Sequence, residues 1–262
     1  MPSASESLCD RVRARRPLPL DGIVDMHIHL GSWAAFAMPG NDADSMVRQM
    51  DRVGVAVAVC SHQACMTPEV AYGNDQVLEA MRRHPGRILG YASAYPVNDT
   101  LGIDEIRRCL DAGMVGVKMH NANRIPYTAE RYTPIWRLAN ERRLPVLLHT
   151  WGGLGAHERL FEEYTDCPIL LAHSGSTRAD DYVPWAVRYP HVYLDLEFSG
   201  CPNGLVECLV RRASAEKIVF GSDMPWMPLG QQIGRVVFAD IAEEQKRAIL
   251  VDNARRILGL AP

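Results

Sequence analysis

The chain lacks any apolar run approaching the roughly 20 residues that a membrane-spanning helix needs, which removes helical membrane proteins from consideration. It also lacks an excess of charge. With 28 basic and 31 acidic residues the net charge is −3, so nothing in the composition attracts nucleic acid or an anionic membrane surface. The seven cysteines, at positions 9, 60, 65, 109, 167, 201 and 208, are odd in number and never in CxxC spacing. That argues against a zinc ribbon or a disulfide framework and predicts free thiols in a reducing, cytoplasmic setting. No G-x-G-x-x-G follows the first apolar run, which speaks against an open dinucleotide-binding sheet. Residues 1–20 lack the apolar core of a secretory signal and are expected to form a solvated leader.

What the chain does have is a repeating rhythm. Short runs rich in Val, Ile and Leu alternate with segments of helical period. Strands are predicted at 23–29, 55–61, 87–94, 115–120, 145–150, 168–173, 191–196 and 217–222. Helices are predicted near 43–53, 69–84, 102–112, 128–142, 155–164, 179–189, 203–213 and 229–240, with a last one at 243–258. Near-continuous apolar strands such as Val55-Ala56-Val57-Ala58-Val59 suit a parallel sheet covered on both sides. Eight such units in 262 residues predict a single (β/α)8 TIM barrel over 21–262.

In a barrel the reactive groups gather at the C-terminal ends of the strands. Six of the nine histidines fall there: His27, His29, His62, His120, His149 and His173. In Asp25-Met26-His27-Ile28-His29 two imidazoles share one side of a strand, about 7 Å apart along it, a ready pair of ligands for a divalent metal. His149 and His173 each end an apolar strand, where an imidazole needs a partner or a metal. Asp223, after strand eight, is expected to be a ligand or a general base. Lys118 points into the barrel, where it would pair with Glu197, meet an anionic substrate or carry a carboxylate derived from carbon dioxide. His62 and His120 are expected to support the ligands or contact substrate. Trp33, Trp151 and Trp226 follow strands one, five and eight and would wall a pocket for a partly apolar or planar molecule. The segment 31–41 is expected to act as a lid.

The order of these residues, with Gly116-Val117-Lys118-Met119-His120, Leu148-His149-Thr150, Ala172-His173-Ser174-Gly175, Gly221-Ser222-Asp223-Met224-Pro225 and the ending Asp252-Asn253-Ala254-Arg255-Arg256-Ile257-Leu258-Gly259-Leu260, resembles the amidohydrolase-related branch of the amidohydrolase superfamily. The resemblance runs from about residue 21 to 260. It implies one divalent metal, expected to be zinc, on His27, His29, His149 and Asp223, with His173 assisting catalysis. In two-metal members of the superfamily Lys118 would be carboxylated and His173 would bind the second ion. It also implies hydrolysis of an amide, ester or lactone of a small molecule by a metal-activated water, with Asp223 as general base. The rival within the branch is non-oxidative decarboxylation of an unsaturated or aromatic acid, with Arg124 gripping the carboxylate. A third reading, from another class, is a metal-binding protein on a retired barrel, which predicts a closed site with no open metal position. A homodimer is expected by analogy alone.

Overall fold

The computed structural model describes residues 6–35, 37–97, 102–197 and 202–261. Phe36, inside the expected lid, lies outside the described residues, as do the first five residues of the expected leader.

Eight strands lie in sequential order and all their pairings are parallel. They are β1 Ile23–Leu30, β2 Val55–His62, β3 Ile88–Ser93, β4 Gly116–Met119, β5 Val146–Leu148, β6 Ile169–Leu171, β7 Val192–Asp195 and β8 Ile218–Val219. The gap between β8 and β1 is crossed by backbone bonds from Met26 N–H to Phe220 O (2.8 Å), Asp223 N–H to His27 O (2.9 Å) and His29 N–H to Met224 O (2.7 Å). The result is the nearly closed (β/α)8 barrel that the alternation predicts. Helices cover its outside, and apolar side chains fill the space beneath them. A smaller set that includes Met26, Val59, Tyr91, Leu147, Leu170 and Val219 fills the barrel interior below the rim.

Local signals explain where elements begin and stop. The Asp42 carboxylate caps the helix Ala43–Val53 by accepting from Ser45 N–H, and Gly54 at φ +81° ends it. The helices expected near 128, 155 and 179 each open with a 3-10 turn, at Glu130–Tyr132, Leu154–His157 and Ala179–Asp181. The last helix is not continuous: a π turn at Ala248–Asp252 separates Glu243–Arg247 from Asn253–Leu258. Phe220 N–H takes the Ile249 carbonyl at that turn, so β8 ends at Val219 and the helix is unwound where the strand exit docks on it. Asn253, in the closing motif, is buried and its amide bridges Ala215 O and Ile218 O at 2.8 and 2.7 Å.

Part of the expected leader is folded. Ser7 caps a helix Leu8–Arg13, Leu8 is buried, and its N–H donates to Glu243 Oε2 at 2.9 Å. Sequence reading missed this because the helix is one and a half turns long and is held by tertiary contacts rather than by its own period. No described helix is long and apolar enough to cross a membrane.

Candidate metal centre and its cavity

β1 supplies the first two ligands through an irregularity. Between Asp25 and Ile28 three steps on β1 run against two on β2. The bulge lets His27 face inward directly after Met26, and His29 follows on the same side. The two Nε2 atoms stand 3.1 Å apart, and Asp223 Oδ1 lies 3.3 Å from His29 Nε2 and 3.9 Å from that of His27. These three side chains are one of two described groups close enough to share an ion; the other is His27 with Asp195 and Glu197.

Beneath it, two fully buried carboxylates face the other edge of His27. Asp195 Oδ2 and Glu197 Oε1 each sit 2.9 Å from His27 Nδ1 and keep the proton there, so that the Nε2 lone pair faces the site. His29 Nδ1 is matched by Ser61 Oγ at 3.0 Å. Burial pushes both imidazoles below their usual pKa, and Lys118 beside His27 adds to the effect. Two neutral imidazoles and a carboxylate converging in a buried corner form a donor set that fits a divalent cation. Lys118 is itself buried, its pKa lowered by burial, and its Nζ contacts His27 Nε2 at 2.8 Å.

His149 and His173 stand beside this group rather than in it. His173 Nε2 is 3.1 Å from His149 Nδ1, and His149 stacks on His120 with centroids 3.9 Å apart. Glu197 receives the His173 N–H at 2.6 Å, so one carboxylate orients residues of two strands. Burial lowers His173 to about 4 and also pushes His149 and His120 below their usual pKa, with neighbouring imidazoles and Lys118 adding to the effect. Burial likewise raises Asp195 and Glu197, and the Asp195 carboxylate adds to the rise of Glu197. Asp25, at the β1–β8 seam, is pushed up to about 7 by burial while accepting from His27 and Ser222 N–H.

Two site residues adopt the left-handed backbone region that non-glycine residues avoid, His173 at φ +58° and Asp223 at φ +59°. The Glu197 bond to His173 N–H and the His27 carbonyl bond to Asp223 N–H hold them there. Such strain persists where surroundings over-determine it, typically at functional sites.

The group opens into a cavity of about 470 Å³. Its walls are Trp33, Trp151, Trp226, Met66 and Met227, with His29, His120, His149, His173 and Asp223 along one side. No lysine or arginine is among its described lining residues. Two expected substrate contacts fall elsewhere. His62 faces a separate surface pocket with Tyr72 and Arg83, because side chains alternate along β2 and Ser61 takes the inward position. Arg124 ends an exposed 3-10 turn at φ +61° and does not line the cavity. Sequence reading passed over Ser61, Gln63 and Asp195, and named Glu197 only as a partner for Lys118. The i, i+2 rule that singles out His27 and His29 also places Asp195 with Glu197 and Ser61 with Gln63, once the inward parity is known.

A His–His–Asp corner at the C-terminal rim of a (β/α)8 barrel is a donor set that could hold a divalent metal. The chain belongs to the amidohydrolase family (Amidohydro_2), whose profile matches residues 24–260. No curated protein matches the chain in sequence. Solved structures share its fold. A 2,6-dihydroxybenzoate decarboxylase from Rhizobium superposes with TM-score 0.70 at 20% identity, over 91% of this chain and 98% of that one. A dihydroxybenzoic acid decarboxylase from Polaromonas sp. JS666, with manganese and 2-nitroresorcinol bound, gives 0.72 at 18% over 92% and 97%. A Pseudomonas putida protein described as a candidate 2-pyrone-4,6-dicarboxylic acid hydrolase gives 0.71 at 17% over 91% and 97%.

Proposed function

We propose that this protein is a metal-dependent, non-oxidative decarboxylase of a planar unsaturated or aromatic carboxylic acid. The observation that carries this reading is the cavity, which has aromatic and thioether walls, one edge of imidazoles with the Asp223 carboxylate and no cationic side chain among its described lining. A flat apolar ring fits between such walls, while a substrate bearing several carboxylates would find nothing there to pair its remaining charges. Sequence alone favours hydrolysis, and the lining moves the balance to decarboxylation. The manganese-containing decarboxylase with this fold is consistent with that move.

His27, His29 and Asp223 would hold a single ion, Mn²⁺ and Zn²⁺ both suiting two imidazoles and a carboxylate. When bound, the ion supplies positive charge that anchors a carboxylate and steadies electron density developing on the ring. The tryptophans orient the ring and exclude water. Asp223 is the one carboxylate among the described lining residues, and so the group placed to relay a proton from solvent to the ring. The bond to the carboxyl carbon breaks, its electron pair stays on the ring carbon, that carbon takes a proton that solvent supplies by way of Asp223, and carbon dioxide leaves.

Hydrolysis of an uncharged lactone or ester is the second reading, favoured by the neutral His149–His173 pair facing the same cavity. There Asp223 would take a proton from water and His173 would steady the oxyanion. The deciding experiment loads the protein with Mn²⁺ or Zn²⁺ and offers hydroxylated benzoates and neutral aryl lactones. Carbon dioxide and the decarboxylated arene establish the first reading. A ring-opened product with water added, and no carbon dioxide, replaces it with the second.

A further inference from the structure

A second recess, of about 550 Å³, lies where the first and last units of the barrel meet. Three segments border it: residues 12–20 before β1, the end of the helix Ala43–Val53 with Gly54, and the helix Leu229–Val237 with Phe238. Its described lining shares no residue with the cavity at the metal corner. Ile23, where β1 begins, borders the recess, and His29 lies six residues further along that strand, about 20 Å away. Val12, Leu20, Ile233 and Phe238 are among its apolar walls. Phe238 is 51% and Val12 37% exposed, so part of that wall is left in water, and an apolar patch with a polar rim marks an interaction site. Gly230 and Gly234, one helical turn apart, also face the space. Close packing does not demand glycine at either place. A Cβ on Gly230 would meet only Val53, at 3.8 Å, and one on Gly234 only Phe238, at 3.8 Å. Larger side chains there would close the recess.

The rim is cationic. Arg15, Arg16 and Arg52 belong to the lining and are exposed. Arg16 is paired with Glu6, whereas Arg15 and Arg52 have no carboxylate partner among the described residues. Asp51, the one lining carboxylate, is held by Arg87 at 2.6 Å. The helix Leu8–Arg13 ends in a turn where Arg16 N–H reaches Arg11 O and Arg15 N–H reaches Val12 O. That turn sets Arg15 at φ +55°, a position usually given to glycine, and brings two successive arginines to the mouth. We propose that this recess binds a single-chain amphipathic anion, its apolar tail between the two helices and its negative head on Arg15 and Arg52. The charge of the rim selects the head group: a guanidinium pairs with an anion through two parallel N–H bonds, a neutral head forfeits that pairing, and a cation is repelled. A recess bounded by three segments admits a chain rather than the broad face that a protein partner needs. The inference is independent of the reaction assigned to the metal corner.

The probes are octanoate, octanol, octylamine and acetate, titrated by calorimetry into the Mn²⁺-loaded protein. Octanoate should bind at least about tenfold tighter than octanol or octylamine, and acetate should give no measurable heat. Arg52→Glu removes one charged contact and adds repulsion, so it should weaken octanoate about 10- to 100-fold. Gly234→Leu fills the recess from a helical position and should weaken octanoate at least about tenfold. Trp226→Ala, in the cavity at the metal corner, should leave octanoate binding unchanged. A wild type that ignores octanoate overturns the inference, and so does equal affinity in Arg52→Glu and Gly234→Leu. Loss of octanoate in Trp226→Ala alone places the ligand at the metal corner and overturns it as well. A second copy of the chain as occupant would show as a dimer that Gly234→Leu dissociates, with no octanoate bound, and would also overturn it. Arg52 is exposed, so Arg52→Glu keeps the test decisive if Gly234→Leu folds poorly. None of these outcomes touches the decarboxylase reading, which stands or falls on product analysis.

Discussion

Gly221 offers the sharpest test of how the site is supported. A Cβ built there would lie 2.2 Å from Asp195 Oδ1 and 2.9 Å from the Cβ of His27. Ordinary contact needs the carboxylate to retreat by about 1 Å, and Asp195 is fully buried with its other oxygen 2.9 Å from His27 Nδ1. A retreat of that size carries the pair past the limit of about 3.5 Å for a useful hydrogen bond. Glu197 Oε1 remains on the same nitrogen at 2.9 Å, so His27 keeps one carboxylate. Losing one partner behind a metal-ligating imidazole should weaken Mn²⁺ or Zn²⁺ binding about 10- to 100-fold. Overpacking the barrel interior should cost about 1–3 kcal/mol, which at about 2–4 °C per kcal/mol lowers the melting temperature by several degrees. The assay is metal titration of Gly221→Ala by calorimetry, with thermal unfolding of the metal-free protein alongside. Gly155→Ala, where a Cβ meets nothing within 4 Å, is the control and should change neither. Wild-type affinity and an unshifted melting temperature in Gly221→Ala would refute the role given to Asp195.

The remaining predictions are simpler. His29→Ala should strip the ion from the purified protein, whereas His62→Ala and Arg124→Ala should retain it with near wild-type turnover; elemental analysis and rate measurements check all three, and loss of metal in His62→Ala would contradict its placement outside the cavity. Asp223→Asn should keep part of its metal and lose at least about a hundredfold in turnover, since the amide has no carboxyl proton to give; single-turnover rates at wild-type level would remove Asp223 from the proton transfer. Burial lowers His62 from 6.5 to about 4. The unfolded chain therefore binds a proton there that the folded chain refuses. Stability from this group is complete above pH 6.5 and lost as pH falls towards 4. His62→Gln should flatten the stability profile over that window by about 1–3 kcal/mol, measured by urea unfolding at several pH values. An equally steep acid limb in the variant would show that other groups control it.

The fold was largely legible because parallel strands buried on both faces read as apolar runs, and eight of them in register with amphipathic helices leave few alternatives. The π turn at 248–252 was not legible, since it arises where Phe220 borrows a carbonyl from a segment some thirty residues later. Within the site, His27 and His29 could be read from their spacing alone. His62 and Arg124 were misplaced because a near-continuous apolar strand such as β2 does not reveal which parity faces inward, nor a short turn which way it projects.

What the amino-acid sequence determined by itself is the inventory: eight strand–helix units, six histidines at five strand ends, and an acid after the last strand. Covalent order and side-chain alternation suffice for that. Tertiary structure decided which of those groups meet. Barrel closure brought Asp223 to His29, the β1 bulge turned His27 inward, and the bend after β6 directed His173 to His149 instead. These are distances between residues far apart in the chain, set by how the sheet closes on itself, and no local pattern contains them.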